Sequence, residues 1–152
     1  MADIVSPAVR SRMMAGIKAK DTKPELIVRR GLHAMGFRYR LHDRKLPGKP
    51  DLVFPKYRAV IFVNGCFWHG HECAMFRWPK SREEFWRGKI EQNMASDIAN
   101  ADRLSVLGWR HLTIWECALR RSARATIELT LQRVAHWLAG KAPSQSIAAD
   151  FE

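Results

Sequence analysis

The run Ala59-Val60-Ile61-Phe62-Val63 limits what this chain can become more than any other feature. Its β-branched and aromatic content suits a strand covered on both faces. It is far too short to cross a bilayer. Asn64-Gly65 ends it, and Cys66 to Arg77 follows without any period, dense in Cys, His and aromatic residues. A helical repeat then begins near Ser81. Past Gly108, Trp109, His111, Thr113 and Trp115 alternate with Arg110, Leu112 and Ile114, largely uncharged on both sides, as in an interior strand. A strand, a long helix and a second strand of this kind predict a right-handed crossover between parallel neighbours.

The flanking segments complete a small α/β domain. Thr22 caps a first helix, with Pro24 in its first turn, Glu25 three residues past the cap and Gly36 as its stop. Phe37, Tyr39 and Leu41 alternate with Arg38, Arg40 and His42, the pattern of an edge strand. Leu46-Pro47-Gly48-Lys49-Pro50 is a loop, Asp51–Phe54 a short strand, and Pro55–Arg58 a reversal. Ser81 with Glu84 predicts a capping box for the long helix, with Ile90, Met94, Ile98, Ala101 and Leu104 as its core stripe. A last helix covers Ser122 to Ala139. The organisation expected is a basic arm over 1–20, one domain over 21–140 and a flexible tail over 141–152. The arm reads either as a solvated extension or as a short amphipathic helix that orders on a partner.

Charge narrows the function. Lys and Arg total 26 against 15 Asp and Glu, a net of +11, and residues 1–58 alone hold 14 basic and 5 acidic side chains. Such a surface gains free energy by displacing phosphate counterions, so a nucleic acid is the expected partner. With 47% apolar and 27% charged residues the chain reads as soluble and globular. No apolar leader follows the initial Met, which predicts a cytoplasmic protein without a membrane role.

Cys66, His71 and Cys73 have the spacing C-x4-H-x-C, a donor set suited to tetrahedral zinc. Cys117 directly follows the 109–115 strand. If that strand lies beside 59–63, Cys117 reaches the same sheet end and completes a closed, structural site. The competing reading is buried free thiols beside a surface histidine. A disulfide is disfavoured by the odd cysteine count.

A second group of residues suits hydrolytic chemistry. Asp51 opens an apolar strand, where a carboxylate gains nothing from burial unless paired, and it suits Mg²⁺. Val63-Asn64 ends the neighbouring strand. His69 has the wrong parity to join the zinc donors and is free to act on water or phosphate. Asp97, on the long helix, reads either as a solvated surface residue or as a partner that orients an imidazole. Glu25 either reaches a metal through water or simply complements the helix dipole. His33, His42, His111 and His136 take no assignment. Phe67, Trp68 and Trp86 read either as base-stacking side chains or as a small core around the zinc loop.

Gly65-Cys66-Phe67-Trp68-His69-Gly70-His71 with Cys73 resembles the very short patch repair DNA mismatch endonucleases (Vsr-type). The likeness runs through Arg10-Ser11, Met14, Asp21-Thr22 with Glu25, Leu46-Pro47-Gly48 with Pro50-Asp51, Phe85-Trp86, Lys89-Ile90, Asn93, Asp97, Leu107-Gly108-Trp109-Arg110 and Trp115-Glu116-Cys117-Ala118-Leu119-Arg120. The resemblance implies a restriction-endonuclease-like fold: a mixed central sheet flanked by helices, with a structural zinc site. It implies a Mg²⁺-dependent nickase that cuts 5′ to the thymine of a T·G mismatch left by 5-methylcytosine deamination. It further implies a bacterial, nucleoid-associated protein, a monomer on double-stranded DNA, functionally linked to a cytosine-5 DNA methyltransferase and to mismatch-repair proteins. By position, Asp51 and the Val63 carbonyl would hold Mg²⁺. His69 would be the base, Asp97 its partner, and Glu25 would reach the metal through water. Cys66, His71, Cys73 and Cys117 would bind zinc, and Met14, Phe67, Trp68 and Trp86 would enter the duplex. Some members have Thr-His where this chain has Val63-Asn64, so Asn64 replaces an imidazole at the catalytic site. The usual pattern of the fold class, an acidic residue and a lysine after the first Asp, is also missing. The rival readings are a non-catalytic zinc-stabilised DNA-binding module and a restriction enzyme that cuts matched DNA.

Overall fold

The computed structural model describes residues 21–73, 76–120 and 124–148; the expected arm over 1–20, with Met14, lies outside them. Among the described residues three helices flank one five-stranded sheet. In chain order the elements are α1 (Lys23–Ala34), β1 (Arg40–Leu41), β2 (Leu52–Phe54), β3 (Ala59–Asn64), α2 (Glu83–Val106), β4 (Arg110–Trp115), α3 (Arg124–Ala139) and β5 (Gln145–Ile147). Single 3-10 turns at Pro55–Tyr57 and Glu116–Leu119 follow β2 and β4. The strands lie in the spatial order β1-β2-β3-β4-β5, antiparallel up to β3 and parallel beyond it. The sheet is therefore mixed, as expected, and α2 is the crossover between parallel β3 and β4.

Strand parity sorts the side chains onto two faces. Leu52, Phe54, Ala59, Ile61, Leu112 and Ile114 pack with Val28 and Leu32 of α1 and with Val134, Trp137 and Leu138 of α3. Val53, Val60 and Phe62 face the other way and meet Leu104 of α2. The first face is a dry core. The second is covered at its ends and open in the middle, and the functional residues stand there.

Several boundaries differ from the sequence reading. The edge strand is two residues long, because Phe37 and Tyr39 turn inward onto Phe54, at ring separations of 6.4 and 5.6 Å. Thr22 caps α1 as expected, its hydroxyl accepting from the Glu25 N–H at 3.3 Å. The capping box for α2 does not form: the helix begins at Glu83, behind Arg82 at φ 55° with no side-chain cap, so Ser81 stands too far upstream.

The inward stripe of α2 is also displaced. Ile90 and Leu104 are buried, but Met94 is 42% and Ile98 65% exposed. The inward positions run instead through Ile90, Asn93, Asp97, Ala101 and Leu104. Asn93 bonds the Trp68 carbonyl, Asp97 bonds His69, and Ala101 lines the cleft. The helix packs on the sheet through Leu104 and on the Gly70 loop through Ile90, and keeps polar groups between them.

The expected tail over 141–152 is corrected at its centre. Gln145–Ile147 form β5 against β4, and Ile147 is buried. Residues 149–152 lie outside the described part.

Candidate active site and metal centre

Between α2 and the sheet lies a cleft of about 300 Å³, lined by Gly48, Lys49, Asp51, Asn64, His69, Asp97, Asn100, His111 and Thr113 among others. Four of its lining residues follow from parity: Asp51 precedes β2, Asn64 ends β3, and His111 and Thr113 are the site-facing residues of β4. Gly48 cannot be replaced cheaply. It sits at φ 80°, and an added Cβ would come within 3.0 Å of the Phe62 ring. The Gly48-Lys49 turn is thereby pressed against the sheet and delivers Asp51 into the cleft.

Asp51 Oδ2 accepts a 2.7 Å hydrogen bond from the Val63 N–H. Burial pushes its carboxyl up to about 7; the Val63 bond opposes the shift and neighbouring Glu25 adds to it. A carboxylate this desolvated, with a second one beside it, suits a bound cation. An extended residue directs its N–H and C=O to the same neighbouring strand, so the Val63 carbonyl also faces the Asp51 side.

Glu25 is 1% exposed, which a helix-dipole role alone would not require. Its carboxylate accepts from the Asp21 N–H at 3.1 Å, from Arg29 Nη1 at 3.1 Å and from His42 Nε2 at 2.9 and 3.0 Å. His42 is the residue that sequence reasoning missed. Its signal, a histidine in a loop nine positions before Asp51, is too weak to find without the fold. His111, which takes no assignment from the sequence either, lines the cleft with its imidazole held below the usual range by burial.

His69 Nδ1 lies 2.5 Å from Asp97 Oδ2. The loop that carries it is tied down: His69 N–H donates to the Gly65 carbonyl, and Asn93 Nδ2 donates to the Trp68 carbonyl at 2.8 Å. Gly70 adopts φ 62° and passes so near α2 that a Cβ would approach Met94 Sδ to 2.7 Å. Asp51, Asn64, His69 and Asp97 are thus brought to one cleft, with the charge of Glu25 bearing on Asp51.

At the end of the sheet, Cys66, His71, Cys73 and Cys117 place their ligand atoms within 4.8 Å of one another. Parallel pairing of Asn64 with Trp115 brings the two cysteine-bearing turns together. The Cys66 N–H bonds Glu116 Oε1, and Trp115 stacks on the His71 imidazole at 4.2 Å and 10°. Burial, with Cys117 beside it, pushes the Cys66 thiol up, while burial lowers His71 and favours the neutral ring that ligates. Three sulfurs and one nitrogen, two of the residues buried, form a set able to hold a metal ion.

Phe67, Trp68 and Trp86 form a triangle with ring separations of 5.3, 5.5 and 5.6 Å, extended by Phe76 on Phe67 and Phe85 on Trp86. All three are only partly buried. Arg38 bonds the carbonyls of His33 and Phe37.

A mixed sheet with flanking helices, an acidic residue at the head of its second strand and a four-donor Cys/His cluster able to hold a metal ion define a protein of the restriction-endonuclease-like class. The family model described as DNA mismatch endonuclease Vsr matches residues 2–75. DNA mismatch endonuclease Vsr of Escherichia coli (strain K12) is 43% identical over 147 residues, 97% of this chain and 94% of that protein. Type II nicking enzyme V.XorIIP of Xanthomonas oryzae pv. oryzae is 48% identical across 78% of this chain and 88% of its own. Type II nicking enzyme V.NmeAIP of Neisseria meningitidis is 45% identical across 81% and 88%. This chain belongs to the Vsr family of DNA mismatch endonucleases. Among the described residues no helix is long and apolar enough to cross a membrane.

Proposed function

We propose that this DNA mismatch endonuclease of very short patch repair nicks one strand of duplex DNA on the 5′ side of the thymine in a T·G mismatch. One observation carries the reading: Asp51 and the His69–Asp97 pair open into the same cleft, and the loop that brings His69 there also carries Phe67 and Trp68 of the half-buried aromatic triangle. Asp51 and the Val63 carbonyl would hold Mg²⁺, which supplies positive charge to the phosphate and to the charge that develops on it. Asp97 accepts from His69 Nδ1–H, fixes the tautomer and leaves Nε2 free to take a proton from the attacking water. The water oxygen bonds to phosphorus, the bond to the 3′-oxygen breaks, and the products are a 5′-phosphate and a 3′-hydroxyl. Asn64, in place of an imidazole, donates a hydrogen bond without titrating.

Cys66, His71, Cys73 and Cys117 would hold structural zinc, since four protein ligands leave no open position. Phe67, Trp68 and Trp86 would press between base steps, with Met14 and the arm on the opposite groove. The mismatch is the deamination product of 5-methylcytosine, which links the protein to a cytosine-5 DNA methyltransferase and to mismatch-repair proteins. It would act as a monomer in the bacterial cytoplasm, close to the nucleoid.

The test is a nicking assay on T·G and matched duplexes with and without Mg²⁺. Wild type should cut one strand of the T·G duplex only, and Asp51→Ala should bind that duplex without cutting it. Cleavage of both strands of matched DNA would favour a restriction enzyme. Binding without cleavage by wild type would favour a non-catalytic module.

A further inference from the structure

We infer that His42 is a positioning residue that registers the Glu25 carboxylate against Asp51 for divalent-cation binding. The inference rests on the reading of these two carboxylates as part of the nicking site.

Its two hydrogen bonds run to different parts of that site. The His42 N–H donates to the Asp51 carbonyl at 3.1 Å, and Nε2 faces both Glu25 oxygens at 2.9 and 3.0 Å. The carboxylate only accepts, so the tautomer that fits carries its proton on Nε2. A donor shared by both oxygens fixes how the carboxylate is turned about its last bond. Glu25 in turn is the carboxylate whose charge bears on Asp51, helping to hold its carboxyl above the usual range. One residue thereby fixes the backbone of the first carboxylate and the side chain of the second.

The backbone at His42 is uncommon for a residue with a side chain, at φ 47°. Left-handed non-glycine residues cost free energy and gather where the surroundings over-determine them. The only turn signal required between β1 and the Pro47-Gly48 loop is a change of direction, which glycine would supply more cheaply. Asp21, Lys49, Arg58 and Arg82 share this backbone region, and what sets His42 apart is that its ring bonds both oxygens of the buried Glu25 carboxylate.

Asp21, Glu25 and His42 also place ligand atoms within 4.8 Å of one another, which raises a cation cage as an alternative. The Arg29 guanidinium argues against it. Its Nη1 spans Asp21 Oδ1 at 2.6 Å and Glu25 Oε2 at 3.1 Å, so a positive group already occupies the trio. The network holds Glu25 rather than competing for the ion.

Variants at position 42 test this. His42→Gly removes the donor and accepts the left-handed backbone freely. His42→Gln restores a donor at the reach of Nε2. Mn²⁺ is titrated, by paramagnetic resonance of the free ion, against each protein bound to a T·G duplex, and nicking and thermal midpoints are read alongside. His42→Gly should weaken Mn²⁺ binding and nicking by about 10–100-fold, as loss of a group that orients a metal ligand does. Duplex affinity should stay within a few-fold of wild type, and His42→Gln should recover most of both losses. Unchanged Mn²⁺ affinity in His42→Gly would overturn the inference. So would an equal loss in His42→Gln at an unchanged midpoint. Should His42→Gly not fold, His42→Asn, tolerant of the left-handed backbone but too short to reach Glu25, enters the same titration. A wild type that binds Mn²⁺ and does not nick would sink the nuclease reading, while the Mn²⁺ affinities of the variants would still decide the role of His42.

Discussion

Asp51 carries a pH signature of its own. Its acid is raised from 3.8 to about 7, chiefly by burial, so the folded chain holds the proton more tightly than the unfolded one. Between those values the native state binds the extra proton, and metal-free stability falls as pH rises through the window, by on the order of a few kcal/mol. Asp51→Asn should melt above wild type by a small margin near pH 5 and by a larger one near pH 8, both in chelator; thermal scans at the two pH values decide it. Saturating Mg²⁺ should narrow the gap. At Asn64 the expectation is kinetic. Asn64→His should keep nicking but add a titrating limb near neutral pH to the rate profile, and identical profiles for the two proteins would rule out a role for position 64 in the chemistry. Asp51 could be found in the sequence because it places a charge where the pattern runs apolar, whereas Asp97, off the apparent stripe of its helix, is singled out mainly by the resemblance. His42 could not, since its meaning depends on a carboxylate 17 residues away that only the fold brings near.

The strands show where local pattern suffices. β3 and β4 are readable because their alternation and their β-branched content agree, and Cys117 follows from their parallel pairing. α2 is readable as a helix but not in its facing. Met94 and Ile98 suggest a stripe one residue away from the true one, whose centre holds Asn93 and Asp97 in place of apolar groups. A helix that walls a polar cleft loses the very periodicity used to orient it. β5 escapes notice because three residues, Gln145-Ser146-Ile147, bury one side chain and make no period. The loop between β3 and α2 has little regular structure, so the four-donor cluster should decide its stability. Cys117→Ser should lose bound zinc, change tryptophan fluorescence through Trp115 and abolish nicking. Zinc at a thousand times its Kd contributes about 4 kcal/mol, so strong chelation should lower the wild-type midpoint in the same direction. Active, folded protein free of zinc by elemental analysis would refute that role.

Taken whole, the molecule is a basic body with a net charge of +11, concentrated in its first 58 residues. A protein that neutralises about 6–10 phosphates loses about 10³–10⁵ in affinity between 50 and 200 mM salt. Matched and mismatched duplexes should share most of that slope, because phosphate contacts carry no sequence information. Fluorescence anisotropy across a salt series checks this, and a slope close to zero would rule out phosphate contacts as the source of affinity. The polyanionic partner is legible from composition alone, whereas the mismatch becomes legible only through the motifs around Cys66.

The sheet ends in strands of two and three residues, β1 and β5. Unpaired backbone along a rim invites a foreign chain to add itself, and so short a rim offers it almost nothing to grip. Crowded copies of this protein can therefore meet without templating one another into fibres.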